Sequence, residues 1–222
     1  MIVVVGRPGL ARPQGAAEPP GVGGPSGVAG LTAAAGLAEA APHSVALDGL
    51  AALVAVAAAH AGADVELVGS IGDDEDGDRV VVELGRSGVR HAALLRDPAG
   101  RTPAGEGTGP LPRLDAADIG LGLSYLSGVR VVILAEALPA DARQTGVEAA
   151  AYHGASLIVL VAAGEAADDD VGDATVLEAP EGGRGPFAGM VGRYAAAIDR
   201  GAEPADALGE AARAAGWEHV TE

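Results

Sequence analysis

The 222-residue sequence contains no cysteine, no lysine and only five aromatic residues. Without cysteine there are no disulfides, no thiolate nucleophile and no cysteine-ligated zinc site. Without lysine there is no Schiff-base chemistry on a lysine and no Gly-Lys-Ser/Thr phosphate loop. All 14 positive charges are arginines, so any phosphate contact falls to arginine or to backbone N–H groups. The aromatics are Phe187, Trp217 and three tyrosines, and the 49% hydrophobic fraction is built mainly from Ala, Val and Leu. A core of such small side chains packs through close backbone approach, so helices should lie tightly on a sheet. Positive charge is also scarce. The net charge of −17 has the wrong sign for binding nucleic acid or an anionic membrane. Long apolar runs are absent as well. The longest weakly polar stretch, 49–63, is bounded by Asp48 and Asp64, contains His60 and falls short of the ~18 residues that span a bilayer. The first residues lack a basic region and an apolar stretch long enough for a signal peptide. The expectation is a cytoplasmic protein.

What is present is an alternation of short apolar runs and helical patterns, sized for one α/β domain. Ile2–Val5 reads as a strand buried on both faces. Residues 7–44 are rich in Gly, Pro and Ala and read as loop, with room for a short helix at 31–41. Within them Gly21-Val22-Gly23-Gly24-Pro25-Ser26 briefly mimics a dinucleotide fingerprint. It ends in Ser26 and follows no strand, so it is rejected. A helix over 48–61, with Asp48 as its cap, leads to a strand at 65–69. A helix over 79–86 follows, then a strand near 91–95. Residues 97–113 form a second Pro/Gly loop. Beyond it come a helix through 123 capped at Asp115, a strand at 129–135, a helix over 139–153 and a strand at 156–162. The chain then runs through an acidic loop at 165–173, a short strand at 175–177, and helices over 186–200 and 204–215.

The stretch Pro180-Glu181-Gly182-Gly183-Arg184-Gly185-Pro186-Phe187 stands out. Its glycines permit positive φ, and Pro186 suits a first helical turn. Free N–H groups at such a helix start form an anion site, to which Arg184 adds a fixed planar charge. The plain alternative is a glycine-rich loop that merely enters a helix.

The order of these features resembles the ribokinase-type (PfkB) carbohydrate kinases over most of the chain. The most specific piece is Ala61-Gly62-Ala63-Asp64-Val65-Glu66-Leu67-Val68-Gly69-Ser70-Ile71-Gly72-Asp73-Asp74-Glu75-Asp76-Gly77, followed by Leu84 and Ser87-Gly88-Val89. It is similar to the family's N-terminal signature, in which a strand leads to Val-Gly-Asp-Asp-x-x-Gly and a helix closes at Gly-Val. Phe187-Ala188-Gly189, with Arg200-Gly201, Ala207-Leu208 and Ala211-Ala212, resembles the helices after the family's Gly-Ala-Gly-Asp motif. The resemblance implies a three-layer ribokinase-like fold, a mainly parallel sheet with helices on both faces. It implies one such domain over 1–222, with the loops at 7–44 and 97–113 in place of a lid.

Three departures from the family pattern bear on function. The four Gly-Ala-Gly-Asp positions are Gly182, Gly183, Arg184 and Gly185, so the anion cradle survives in outline while Gly185 replaces the base. Losing a positioned general base costs typically 10²–10⁴-fold in rate. The family's sugar-binding Gly-Gly-x-x-x-Asn falls on Asp48-Gly49-Leu50-Ala51-Ala52-Leu53, which leaves Asp48 and Gly49 as weak substrate candidates. Between Val161 and the glycine turn there is no room for the Asn-x-x-Glu motif and the adenine-wrapping strands.

Other constellations carry less. Gly72, Asp74, Asp76, Gly77 and Glu83 follow a calcium-loop count but fail at its first and eighth positions. The run 168–170 with Asp173 reads as a solvated loop, and the five histidines show no metal-like spacing. No metal is expected. The sequence supports three readings: a catalytically silent relative that binds a small anionic or phosphorylated ligand; an active sugar or nucleoside kinase, using ATP and Mg, with Asp48 as a substitute base; or an interaction protein that pairs with itself, as a homodimer, or with another chain. The agreement among the three losses favours a non-catalytic member.

Overall fold

The computed structural model describes residues 1–11, 46–105, 107, 109–165 and 171–216. In chain order the elements are β1 (Ile2–Val5), β2 (Gly9–Leu10), β3 (Leu47–Asp48), α1 (Leu50–His60), β4 (Val65–Gly72), α2 (Glu75–Arg86) and β5 (Leu94–Asp97). They continue as α3 (Ala116–Ser124), β6 (Val131–Leu134), α4 (Ala140–His153), β7 (Ser156–Ala162), β8 (Thr175–Ala179), α5 (Arg184–Asp199) and α6 (Pro204–Ala214).

Six strands form one sheet in the order β5-β4-β1-β6-β7-β8, and every neighbouring pair is parallel. The uninterrupted apolar runs follow from this arrangement, since β1 and β4 are buried on both faces. Ile2, Val4, Leu67 and Ile133 point to the face covered by α1, α2, α5 and α6, whereas Val3, Val5, Val68 and Val132 point to the face covered by α3 and α4. Small side chains set the spacing. A Cβ on Gly192 of α5 would lie 2.6 Å from Ala57 Cβ and 2.6 Å from Ala58 N of α1, so these two helices meet backbone to backbone.

The structure corrects several sequence expectations. Asp48 does not cap α1: the helix starts at Leu50, its N-cap is Gly49 at φ 82°, and no side chain caps it. Asp48 lies instead in β3, opposite Gly9 of β2 in a two-stranded antiparallel sheet, because strand pairing overrides its cap preference. The loop expected from residue 7 therefore opens with a strand. Leu10 also bridges Ala104, and its N–H donates to the Pro103 carbonyl at 2.8 Å, which stitches the 97–113 segment to β2. The helix expected over 79–86 begins at Glu75, with Asp74 as its N-cap, and the acidic run becomes its first turn, where the helix dipole favours negative charge. β4 extends to Gly72, and the strand expected near 91–95 is β5 at Leu94–Asp97. The helix expected at 31–41, the pattern at 21–26 and the acids at 168–170 lie outside the described residues.

From β1 the sheet grows first through β4 and β5 on one side, then through β6, β7 and β8 on the other. That reversal opens a crevice at the carboxyl ends of β1 and β6, the position where open parallel sheets receive ligands.

Candidate functional site

Two charged residues close that crevice. Arg7 follows β1 and Glu136 follows β6. The Arg7 Nη1 donates to Glu136 Oε1 at 2.6 Å, and its Nε donates to the Pro112 carbonyl at 2.5 Å. Both side chains are largely buried, 13% and 28% exposed. Burial pushes the Glu136 carboxyl up from its ordinary value, against the pull of the Arg7 charge and hydrogen bonds. From this pair a cleft of ≈520 Å³ runs past Leu50, Leu160, Val161 and Pro180 to Glu165, Glu181 and Arg184.

The glycine turn enters α5 at the far end. Gly183 is its N-cap at φ 75°, a left-handed conformation that favours glycine. The first turn of α5 carries no acidic residue and no side-chain cap, so among the described residues no side chain accepts from the Arg184 or Gly185 N–H, and Pro186 has none to give. A Cβ on Gly182, Gly183 or Gly185 would meet nothing within 4 Å. Arg184 lines the cleft, is exposed and has no ion pair or side-chain hydrogen bond among the described residues. Of the residues singled out in sequence, Arg184 and Gly49 line the cleft, whereas Gly182, Gly183, Gly185 and Asp48 do not. Arg7 and Glu136 escaped sequence reasoning. Their signal was position, each being the first charged residue after an all-apolar strand.

The acidic signature at Asp74 is a second, different construction. Asp74 Oδ1 accepts from the Gly77 N–H at 2.8 Å and from Thr102 Oγ1 at 2.7 Å; Oδ2 accepts from the Thr102 N–H at 3.0 Å. Thr102 Oγ1 in turn accepts from the Gly72 N–H at 2.9 Å. Burial works to raise the Asp74 pKa, but the hydrogen bonds from Thr102 and Gly77 outweigh it and hold the carboxyl below its ordinary value. The carboxylate caps α2 and ties it to the 97–113 segment. Its calcium-loop neighbours are spent in the same way, Asp76 on Arg79 and Glu83 on Arg86.

No protein-family model matches the sequence, and no curated protein does. Solved structures do. The Arabidopsis thaliana ribokinase complexed with ribose and ATP superposes with a TM-score of 0.63 at 15% identity, over 96% of this chain and 90% of that one. The PfkB protein from Polaromonas sp. JS666 gives 0.59 at 15% identity, over 96% and 94%. The protein Sa239 gives 0.64 at 12% identity, over 99% and 95%. Parallel sheet, switch-point crevice and helix order together give this chain the fold of the ribokinase and PfkB sugar kinases.

Proposed function

We propose that this chain is a ribokinase-like protein without phosphoryl-transfer activity, whose crevice binds a small anionic or phosphorylated ligand at Arg184 and the glycine turn. The observation that carries this reading is the state of the carboxylates along the cleft. The position that matches the family's base is Gly185. Among the described residues the one partly buried carboxylate in the cleft lining, Glu136, is held by Arg7 at 2.6 Å. Glu165 and Glu181 are exposed at the rim. Asp48, the substitute base named from sequence, is absent from the lining. Arg184 stands at the cleft, while among the described residues no buried, unpaired carboxylate lines it to take a proton from an acceptor hydroxyl.

A second reading, as an interaction protein that includes pairing with itself, is favoured by Tyr125 and Tyr152, which are 83% and 87% exposed in a chain with five aromatics. Such exposed aromatics are typical of contact surfaces.

A thermal-shift screen of the purified chain tests the first reading. Phosphate or a sugar phosphate at ~100 times its Kd stabilises the fold by about 2.7 kcal/mol, and Arg184→Ala abolishes the shift. A shift with Mg-ATP, together with ATP-dependent phosphorylation of a sugar, would overturn it. No shift with any of these and a dimeric mass on size exclusion would favour the interaction reading.

A further inference from the structure

The sheet face away from α5 carries a second cleft, at the opposite end of the strands from the crevice. α3 and α4 pack side by side, close enough that a Cβ on Gly120 would lie 3.6 Å from Thr145 Cγ2. Towards their C-terminal ends, which lead into β6 and β7, a cleft of ≈660 Å³ opens between them. Its floor is apolar, made by Leu123, Leu126 and Ala149. Ser124, Ser127 and Glu148 form an exposed polar rim. An apolar floor under a polar rim suits an aromatic ring with a hydroxyl at its tip.

Such a ring stands on the same face. Tyr152 is at the cleft edge, almost wholly exposed, with its ring edge-on to His153 at 5.2 Å. Its hydroxyl has no partner among the described residues. Across the cleft, Leu121 is exposed beside Ser124 and Tyr125, since residues three and four apart are neighbours on a helix surface. Three of the six large exposed hydrophobic side chains among the described residues, both exposed tyrosines included, therefore gather on this face, a concentration that marks a contact surface.

Charge and shape narrow what covers it. Glu148 is the only formal charge in the cleft lining, whereas α2 on the other sheet face carries Glu75, Asp76, Asp78, Arg79, Glu83 and Arg86. A basic partner is drawn to acidic ground such as α2 rather than here. Two copies of a chain of charge −17 repel one another least across a face that is nearly free of charge. A two-fold contact also requires one surface to complement itself, and here a protruding ring and a cleft of matching chemistry lie on one surface.

We propose that this α3–α4 face pairs with the same face of a second copy of the chain about a two-fold axis. Tyr152 of each copy enters the cleft of the other, with Leu121 and Tyr125 packed beside it. This rests on the interaction reading above and names its surface and its occupant. The anion-binding reading is independent of it, because the crevice lies at the other end of the sheet.

Sedimentation equilibrium of the full chain over about a hundredfold range of concentration tests it. The expected result is a monomer–dimer equilibrium that added salt tightens, because salt screens the repulsion between the two chains while the contact itself holds little charge. Tyr152→Ala weakens the dimer by at least about tenfold and Tyr125→Ala by less. Both side chains are exposed, so neither change disturbs folding. Ser127→Trp, which fills the cleft and leaves both tyrosines in place, weakens it as well. Tyr152→Glu abolishes it by setting like charges together, whereas Val82→Glu, which adds the same charge at an exposed position of α2, leaves the dimer intact. A dimer that Tyr152→Ala and Ser127→Trp leave unweakened would overturn this face and leave self-pairing standing. A dimer that salt loosens would overturn the charge-poor contact. A monomer at every concentration would overturn both this inference and self-pairing.

Discussion

Two glycine-bearing turns enter helices on the same side of the sheet, and they are built on opposite principles. At 72–77 the glycines are demanded by the protein itself. A Cβ on Gly72 would lie 2.6 Å from Asp74 Oδ2 and 2.7 Å from Thr102 N, and one on Gly77 would lie 2.5 Å from the Gly72 carbonyl. The space is filled by the Asp74 and Thr102 hydrogen bonds. At 182–185 the same substitution meets open space, and only Gly183 has a conformational reason to be glycine. The first turn is a structural joint whose ligand is another part of the chain. The second leaves the Arg184 side chain without an ion pair or hydrogen bond among the described residues, which supports a reading in which its partner comes from outside.

This contrast can be broken by substitution. Gly77→Ala should have the largest effect, since its Cβ has nowhere to go: about 2–3 kcal/mol of destabilisation, typical of overpacking, read as a shifted denaturant midpoint with unchanged slope. A loss under about 0.5 kcal/mol would show that the joint yields easily. Asp74→Asn should cost about 1–2 kcal/mol at neutral pH, because the cap and the charge-assisted bonds to Thr102 weaken. It also carries a pH signature. The Asp74 pKa is lower in the folded chain than its ordinary 3.8, so its stabilisation is present above that value and lost as pH falls through the folded pKa. Asp74→Asn should flatten the acid limb of the stability curve below about pH 4; an unchanged limb would assign it elsewhere. Gly185→Ala should have the smallest effect and the opposite sign. Gly185 lies in the first turn of α5 with no crowding, so alanine should stabilise the apo protein by up to about 0.5–1 kcal/mol. Clear destabilisation of the apo chain would mean the turn has a packing role of its own.

Much of the fold was legible in the sequence because it rests on local signals. The all-apolar β1, the capped α3 at Asp115 and the αL ending of α4 at Gly154 depend on residues within a few positions of one another. The error at Asp48 came from the other kind of interaction. Its neighbours suggest a helix cap, but residues 47–48 pair with residues 9–10, a contact across almost forty positions that no local pattern announces. The site divides in the same way. Arg184 and its glycines were visible as a motif, whereas Arg7 and Glu136 are single charges 129 positions apart that meet only because β1 and β6 are neighbours in the sheet.

By itself the sequence determined the class of fold and the small-residue packing of its helices. These follow from residue type and short-range periodicity. Tertiary structure alone decided that Glu136 is paired with Arg7 and that Asp74 is spent on Thr102, while Arg184 has no side-chain partner among the described residues. Whether a charged side chain is occupied or available depends on which distant backbone the strand order brings within 3 Å of it.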